Sequence, residues 1–526
     1  MPTTPLSPTS RLARRAGRLV LTLDHVWLAV ALMLIALRPL LTPIPPNDFW
    51  WHMATGRAII TQGAIPVVDS FSYTQVGQPF FNQGWLAQLL MYGIYQLGGI
   101  PLTYIAQALV IALAYGLLLR LCLLRTGQVQ LSVGLLLLTT LPLSFDNWLV
   151  RPQSYAFPLF AGFLTILTEY RLGGKNRLWL LPPLMVLWVN IHGSFVLGGV
   201  LIAGTLAAEW LKRRGTSWRE ATSWASKPIG APEDVLNRPE PAHMPPLMPL
   251  LIWGAATALA LLLNPRGLEV IGYVRNLLGT SAVTSLVTEW APPTIRDLGG
   301  MIFFLFLLLC IVLLAYTRRR PDLTDLLLFC AFLWNALSAS RNIVWFGFVA
   351  TLLVVMQAAT LIGTPKQARG VAGSPTLNAV LIGMLALLLA LALPWWKAEL
   401  LPPSIGALLS EDTPVDAVAY MRSQPDRPRH LFHSEAYGSY LIWQAPEQPV
   451  FIDTRIELYP IEQWRDYINL GQANNVAALL QKYDIDALLL DAKGQKGLID
   501  AARRDDGWVE RYKDKHTVYF TRAARP

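Results

Sequence analysis

One short segment, PPNDFWWHMATGR at residues 45–57, places a carboxylate and an imidazole at helical spacing. The two prolines followed by Asn47 predict the start of a helix, which puts Asp48 and His52, four residues apart, on one face. A carboxylate beside an imidazole can bind a divalent cation such as Mg²⁺ or Mn²⁺, or can hold a general base with its helper. The competing interpretation is that the tryptophans belong to a membrane interface and that Asp48 only favours the helix start.

Arginines at the ends of three apolar segments form a second group of candidates: Arg151 in VRPQ, Arg266 in NPRG and Arg341 in SRN. A fixed guanidinium can bind an anionic phosphate through directional, charge-assisted hydrogen bonds. The alternative is an arginine that anchors a helix end at the membrane surface. The same face is predicted to carry further polar residues that could contact a substrate: Arg57, Glu289, and His192 in VNIHG, which either orients a substrate or caps a turn.

The composition divides the chain into two parts. Of its 526 residues, 53% are hydrophobic and 15% are charged. An ordinary soluble protein has about a quarter of its residues charged, so a simple soluble enzyme is excluded. Residues 1–396 hold 42 of the 77 charged side chains, and the remaining 130 residues hold the other 35. The net charge of +9 arises in the first part, so it indicates a membrane protein rather than nucleic-acid binding.

Eleven apolar runs in residues 1–396 are long enough to be predicted as membrane-spanning helices. They cover residues 25–44, 101–124, 131–148, 151–170, 177–191, 193–212, 244–264, 300–317, 321–338, 342–363 and 376–396. With the arginines of residues 11–18 in the cytoplasm, 20 of the 27 Lys and Arg residues of this part fall on the cytoplasmic side. The odd count places residues 397–526 outside the cytoplasm.

A long outer loop at residues 45–100 follows from the same arrangement. Its stretch GWLAQLLMYGIYQLGG, residues 84–99, is predicted to be a helix in the outer membrane interface, because a further crossing would turn the basic clusters outward. The runs carry almost no charge at mid-depth, which disfavours an ion-coupled transporter. Polar residues gather at the outer helix ends instead, so we expect the chemistry on that face.

The tail, residues 397–526, is predicted to be a soluble extracytoplasmic α/β domain. Strands are expected at residues 430–433, 449–452, 486–490 and 517–520, and helices at 415–422, 461–470 and 475–483. The DTRIE run at residues 453–457 is either a polar site facing the membrane or a loop ion pair. Because no phosphate-binding loop or nucleophile elbow occurs, we expect the tail to bind an acceptor or cover a cavity.

Several motifs resemble those of multi-pass membrane glycosyltransferases. NDFWWHMATGR and the segment from Asp69 to Gly99 look like the first periplasmic loop of the GT-C superfamily, whose members use polyprenyl-phosphate sugars. The set VRPQSYAF, WVNIHGSFVLG, LLNPRGLEVI, SASRNI and YGSYLIW with PVFIDTRIELY is similar to a group of bacterial membrane proteins with this layout. The resemblance spans most of the chain and implies a GT-C-like, polytopic α-helical membrane fold with 1–396 as its membrane domain.

The resemblance also implies roles for individual residues. In the superfamily, an acid in the first outer loop deprotonates the acceptor hydroxyl or helps to bind a divalent metal, and the sugar leaves its lipid phosphate with inversion. Only Asp48 matches that position, with His52 as its helper. Many members carry two adjacent acids there, whereas this chain has Asn47 before Asp48. A second carboxylate would therefore come from another loop, from Asp69, Asp146 or Glu289.

Together these observations predict an inverting glycosyltransferase of the bacterial inner membrane. It would move a sugar from a polyprenyl-phosphate carrier to an envelope glycan, lipid or protein at the outer leaflet. One or more of the outer-face arginines, Arg57, Arg151, Arg266 and Arg341, would hold the phosphate. The alternative is a non-catalytic membrane scaffold or binding protein with the same architecture, and transport of a lipid-linked sugar is a third, less favoured function.

Overall fold

The computed structural model describes residues 21–144, 147–214, 244–279, 288–317, 320–362 and 373–523. The helices before the tail are α1 (Leu23–Leu41), α2 (Phe49–Gln62), α3 (Trp85–Thr126), α4 (Val129–Ser144), α5 (Pro152–Arg171), α6 (Leu181–Ile191), α7 (Val196–Arg214), α8 (Leu247–Ala260), α9 (Glu269–Gly279), α10 (Leu298–Tyr316), α11 (Leu323–Ser338), α12 (Ile343–Ile362) and α13 (Pro375–Leu391). The expected basic clusters at residues 11–18 and 318–319, and Asp146, lie outside the described residues.

Each of the eleven predicted apolar runs overlaps one of these helices. Only α2 and α9 lie outside the predicted runs. Within the described ranges, five helical segments are long and apolar enough to cross a membrane by length and composition, and five shorter apolar helices accompany them. The chain is therefore a membrane-embedded helical protein, while a crossing by all eleven runs stays a prediction. Helix α12 lies at the centre, with every side chain from Ile343 to Ala359 buried.

One end of the helix bundle is held by buried ion pairs. The Arg171 guanidinium at the end of α5 lies 2.5 Å from Asp322 Oδ2 and 3.0 Å from Asp325 Oδ1. Lys212 Nζ on α7 lies 2.7 Å from both Glu209 Oε1 and Asp322 Oδ1. Because each buried charge has a partner of opposite sign, the network fixes the ends of α5, α7 and α11 relative to one another.

At the other end, α2 begins one residue later than the Asn47 cap predicts. Asp48 occupies the N-cap position with helical angles, φ −40° and ψ −42°, and its carbonyl accepts from His52 N–H at 3.3 Å. Its carboxylate makes no capping hydrogen bond and points instead toward Arg151, 3.8 Å away. The acid at the helix start is thus directed away from its own backbone.

Helix α2 packs closely on the first part of α3. A Cβ added at Gly56 would lie 2.3 Å from Gln88 O, so only glycine permits this approach. Helix α3 breaks at Gly98 and Gly99, where Gly99 has φ +62°. The break separates residues 85–97 from the rest of α3, as the predicted interfacial helix at 84–99 requires.

The tail contains a four-stranded sheet with the order β1-β2-β4-β3. Its strands are β1 (Leu431–His433), β2 (Ala487–Asp491), β3 (Trp508–Lys513) and β4 (Thr517–Arg522). Its helices are α14 (Lys397–Leu400), α15 (Pro403–Gly406), α16 (Val415–Ser423), α17 (Glu435–Gln444), α18 (Ile461–Gly471), α19 (Val476–Lys482) and α20 (Lys496–Arg504). The parallel β1–β2 pair and the antiparallel β2–β4 pair give the expected α/β composition.

The tail departs from expectation at residues 449–452, which do not join the sheet. Val450 forms an isolated parallel bridge with Ser72 of the outer loop instead. The hydrophobic side chains of this segment are buried, so its composition is that of a strand, but its backbone pairs with the other part of the chain. Helices α14, α15, α17 and α20 and strand β3 were not predicted.

The tail is docked directly on the outer loop. Ile44 and Leu409 form a second bridge, and Tyr104 Oη donates to Leu408 O at 2.7 Å. The rings of Trp50 on α2 and Tyr440 on α17 meet edge to face at 5.0 Å. Backbone pairing and shared apolar packing thus make one continuous core from the outer loop and the tail.

Candidate active site

A cavity of about 580 Å³ opens between the outer helix ends and the tail. The outer loop, the starts of α5, α7 and α12, and the segment before α10 all contribute to its wall. Of the predicted site residues, Asp48, His52, Arg151, His192, Glu289 and Arg341 line it. Six residues from five separate segments of the sequence are therefore gathered around one space.

Four of these side chains form a chain of alternating charge. Arg151 Nη1 lies 3.8 Å from Asp48 Oδ2 and 3.4 Å from Glu289 Oε2. The other oxygen of Glu289, Oε1, lies 3.3 Å from Arg341 Nη1. These distances are longer than those of tight ion pairs, so both guanidinium groups keep hydrogen-bonding capacity for an anion in the cavity.

The local structure explains why the two arginines point into the cavity. Arg151 is the N-cap of α5 and has extended backbone angles, with Pro152 as the first helical residue. Arg341 lies in a short 3₁₀ turn before α12, where its guanidinium stacks on the ring of Trp290 at 4.6 Å. Both side chains are largely buried, so the cavity offers positive charge in a site of reduced solvent screening.

His52 lies in the cavity wall on the face of α2 that carries Asp48. Its Nδ1 is 3.1 Å from Gln88 Nε2, and its ring packs on Trp51 at 3.6 Å. Burial, with the Arg151 and Arg455 charges, holds the pKa of His52 well below its usual value. The ring is therefore neutral, with Nδ1 accepting from the amide and Nε2 carrying the proton.

His192 lies at the turn between α6 and α7. Its Nδ1 accepts from Ser194 N–H at 3.1 Å and lies 2.9 Å from Ser194 Oγ. The ring therefore caps the 3₁₀ turn at residues 193–195 and also lines the cavity. Both of its expected roles are compatible with this position.

Two predicted arginines lie outside this cavity. Arg57 stacks on Trp443 at 4.4 Å and donates to Trp443 O at 3.2 Å, so it joins α2 to the tail. Arg266 stacks on Phe81 at 4.7 Å and lines a second cavity of about 610 Å³. The two cavities share residues 81–83 of the outer loop as a common wall.

The tail supplies part of the main cavity, which was not predicted in this form. Glu435, Thr454, Arg455, Ile456 and Glu457 all line it. The DTRIE run contains the expected ion pair, since Arg455 Nη2 lies 2.6 Å from Asp453 Oδ2, and it also borders the cavity, while a polar site facing the membrane stays a prediction. The same guanidinium lies 2.7 Å from Asp69 Oδ1, so Asp69 is used in docking the tail and does not line the cavity.

Glu435 is the site residue that sequence analysis missed. It is the first residue of α17, in the HSEA sequence directly before YGSYLIW, and no spacing rule connects it with Asp48. Burial, followed by the negative charges of Asp48 and Asp453, raises the pKa of Glu435 to about 7. The only signal in the sequence is an acid beside a motif that the resemblance already singles out.

The donor set around Asp48 does not fit the expected divalent cation. Within the ranges the structure describes, no group of three or more His, Cys, Asp or Glu side chains is arranged to hold a metal ion. The guanidinium of Arg151 lies 3.8 Å from Asp48 Oδ2 and would repel a cation bound there. The magnesium or manganese site stays a prediction.

Two solved structures share this fold at low sequence identity. The Archaeoglobus fulgidus oligosaccharyltransferase, tethered with an acceptor peptide containing the NVT sequon, superposes with a TM-score of 0.53 at 14% identity over 95% of this chain and 74% of that one. ArnT from Cupriavidus metallidurans, bound to undecaprenyl phosphate, gives 0.52 at 12% identity over 98% and 99%. The chain therefore shares the fold of these two proteins, as the resemblance predicted.

The likeness is one of fold. No protein-family model matches the chain, and no curated protein matches its sequence. A shared fold alone does not assign an activity to the chain.

Proposed function

We propose that this chain is an inverting glycosyltransferase that moves a sugar from a polyprenyl-phosphate carrier to an envelope glycan, lipid or protein at the outer leaflet of the bacterial inner membrane. The observation that carries the proposal is the chain of charges Asp48, Arg151, Glu289 and Arg341 along one cavity. The undecaprenyl phosphate bound to ArnT, a protein of the same fold, supports a lipid phosphate as the ligand.

The two guanidinium groups would hold the phosphate. When the sugar leaves its carrier, the phosphate gains a negative charge, and buried arginines stabilise that charge more strongly than water does. Glu289 lies between Arg151 and Arg341 and keeps them in place while the cavity is empty of anion. Displacement of Glu289 by the phosphate would leave each arginine with a stronger acceptor.

Asp48 would act on the acceptor. Its carboxylate lies beside Arg151, so an acceptor hydroxyl bonded to Asp48 would be close to the phosphate and its sugar. Accepting that hydrogen bond increases the nucleophilicity of the hydroxyl oxygen, which attacks the anomeric carbon from the side opposite the phosphate. The neutral His52 would orient this arrangement through its N–H group without competing for the phosphate charge.

The first test is sugar transfer by purified protein supplied with radiolabelled polyprenyl-phosphate sugars and envelope fractions as acceptors. Asp48→Asn should lower kcat about 100-fold or more, because it removes the carboxylate and preserves its shape. The tail variant Asp466→Asn, at a half-buried residue outside the cavity lining, is the matched control and should transfer at the wild-type rate. Wild-type turnover by Asp48→Asn would remove Asp48 from the mechanism.

The second test separates binding from turnover. Arg341→Gln should weaken the equilibrium binding of radiolabelled undecaprenyl phosphate by about 10-fold, because one charge-assisted contact is lost. Arg503→Gln, on the exposed face of the tail, is the control for lost charge. Absence of both phosphate binding and transfer, with partner capture by the full chain, would favour the non-catalytic scaffold.

A further inference from the structure

The main cavity has two chemically different sides. Arg151 and Arg341 lie on the side formed by helix ends, whereas the tail contributes the carboxylates of Glu435 and Glu457. Among the residues that the structure describes, the Glu435 carboxylate has no hydrogen-bond or ion-pair partner, although its backbone N–H donates to Tyr467 Oη at 2.9 Å. The tail therefore contributes an unpaired carboxylate to the same cavity that the two arginines line.

Glu435 is held firmly in place. It begins α17, which packs on α2, the helix that Asp48 caps. A Cβ added at Gly438 would lie 2.1 Å from Ile452 O, so α17 also lies tightly against the segment before the DTRIE run. The position of Glu435 relative to Asp48 is thus fixed by backbone contacts rather than by a flexible loop.

The surroundings of Glu435 favour a proton on its carboxylate. The charged and titratable groups around it are Asp48 at the start of α2, Asp453 in the following loop and Tyr467 on α18. The nearby cation Arg455 is paired with Asp453 and Asp69. Burial and the two negative charges together raise the pKa of Glu435 to about 7. A carboxylate of this kind accepts a proton near neutral pH, unlike an exposed one.

We propose that Glu435 is a second catalytic carboxylate, contributed by the tail, which receives the proton of the acceptor hydroxyl. The inference rests on the proposed function. The hydroxyl oxygen forms a bond to the anomeric carbon, and the bond from that carbon to the phosphate oxygen breaks. The phosphate leaves with the electron pair, Arg151 and Arg341 balance its added charge, and the proton passes to Glu435.

The assignment defines the direction from which the acceptor enters. A hydroxyl within reach of both Asp48 and Glu435 lies between α2 and the tail, so the acceptor would occupy the tail side, beside Thr454 and Glu457. The donor phosphate would occupy the arginine side. The alternative is a purely structural role, in which an acid at the first position of α17 favours the helix start.

Kinetics distinguish the two roles. Glu435→Gln should lower kcat about 100-fold while leaving the KM for the polyprenyl-phosphate sugar within twofold. Binding of radiolabelled undecaprenyl phosphate should be unchanged, which also shows that the variant is folded. In the wild type, kcat/KM should increase with pH and level off above about 7, as Glu435 loses its proton. The exposed Glu447→Gln in the same domain is the matched control.

A second measurement does not depend on turnover. Dicyclohexylcarbodiimide modifies protonated carboxyl groups in shielded sites, and peptide mass spectrometry locates the product. In the full-length protein, modification of Glu435 should decrease with a midpoint near pH 7. Asp48→Asn should shift that midpoint to lower pH, since it removes one of the negative charges that favour the proton. Glu447 should remain unmodified across the same range.

The outcomes are separable. A wild-type protein that transfers sugar and a Glu435→Gln variant with unchanged kcat would overturn the catalytic assignment and leave the proposed function standing. A wild-type protein that transfers no sugar would overturn the proposed function and this inference with it. Modification of Glu435 that is independent of pH and of Asp48 would also overturn the proton-accepting role.

Discussion

Glu435 and His433 are two residues apart, yet burial favours the neutral form of both by moving their pKa values in opposite directions. It raises the pKa of Glu435 to about 7 and lowers that of His433 to about 4. His433 is fully buried, with Nε2 accepting from Phe451 N–H at 3.0 Å and Nδ1 donating to Ser434 O at 2.8 Å. Both ring nitrogens of His433 are therefore bonded to backbone groups, whereas the Glu435 carboxyl is unpaired and lines the cavity.

The raised pKa of Glu435 makes a prediction about stability. Because the folded state holds this proton up to about pH 7 and an unfolded glutamate releases it near 4.5, the folded protein loses stability as pH increases between these values. Glu435→Gln should therefore raise the free energy of unfolding of the detergent-solubilised protein by about 3 kcal/mol at pH 8 and little at pH 4.5. Thermal unfolding at both pH values, with Glu447→Gln as control, measures the difference. An equal gain at both pH values would show that Glu435 does not titrate as described.

At the scale of elements, a buried guanidinium adds an ionic link to the backbone pairing and apolar packing between the tail and the outer loop. Arg455 contacts Asp453 and Asp69 at 2.6 and 2.7 Å, and it is only 2% exposed. Its neighbours Phe71 and Phe80 pack over it within about 5.2 Å. Removing this cation would leave two buried carboxylates without their partner, which is far more costly than breaking an exposed pair.

Arg455→Met should therefore destabilise the docked tail by about 3 to 5 kcal/mol. The exposed Arg422, which lies 3.0 Å from Glu447, provides the control, and Arg422→Met should change stability by less than about 1 kcal/mol. Limited proteolysis of the full chain reports on docking, because an undocked tail exposes residues 69–75 of the outer loop, which contact the docked tail. If both variants resist protease equally, Arg455 does not hold the tail in place.

The elements show how far the sequence predicts this fold. Apolar runs predict the helices of the membrane part well, since burial in lipid or protein requires the same composition along a whole helix. The predicted strand at Pro449–Ile452 failed because its backbone pairs with Ser72, a partner 378 positions away that no local pattern reveals. Helix α17 failed because its aromatic residues are typical of strands, and packing against α2 overrides that preference.

The residues of the candidate site were likewise predictable only where the local sequence carries a signal. Asp48, His52, Arg151 and Arg341 were predictable because charged side chains at the ends of apolar helices need a reason to be there. Arg57 was predicted for the same reason, but its guanidinium donates to Trp443 O and stacks on the Trp443 ring instead of entering the cavity. Arg266 lies in the neighbouring cavity, and Glu435 had no signal of its own because its importance depends on how the tail is docked.

At the scale of the whole molecule, helix α5 connects the two charged regions. Arg151 precedes its first residue and Arg171 is its last, and 20 helical residues extend about 30 Å, which is the thickness of a hydrocarbon core. The Arg171 network contains three cations and three acids in close pairs, whereas the Arg151 end opens into a cavity. One end is thus built for stability and the other for binding.

This polarity predicts which side of the membrane each end faces, and thiol labelling can test it. In a variant with Cys122, Cys310 and Cys330 replaced by alanine, a single cysteine at the exposed Asp506 of the tail should react with a membrane-impermeant maleimide in intact cells. A cysteine at the exposed Lys175, just beyond Arg171, should react only after the membrane is permeabilised, since the basic end of α5 is expected in the cytoplasm. The reverse pattern would turn the cavity toward the cytoplasm, where an acceptor of the cell envelope could not reach Asp48.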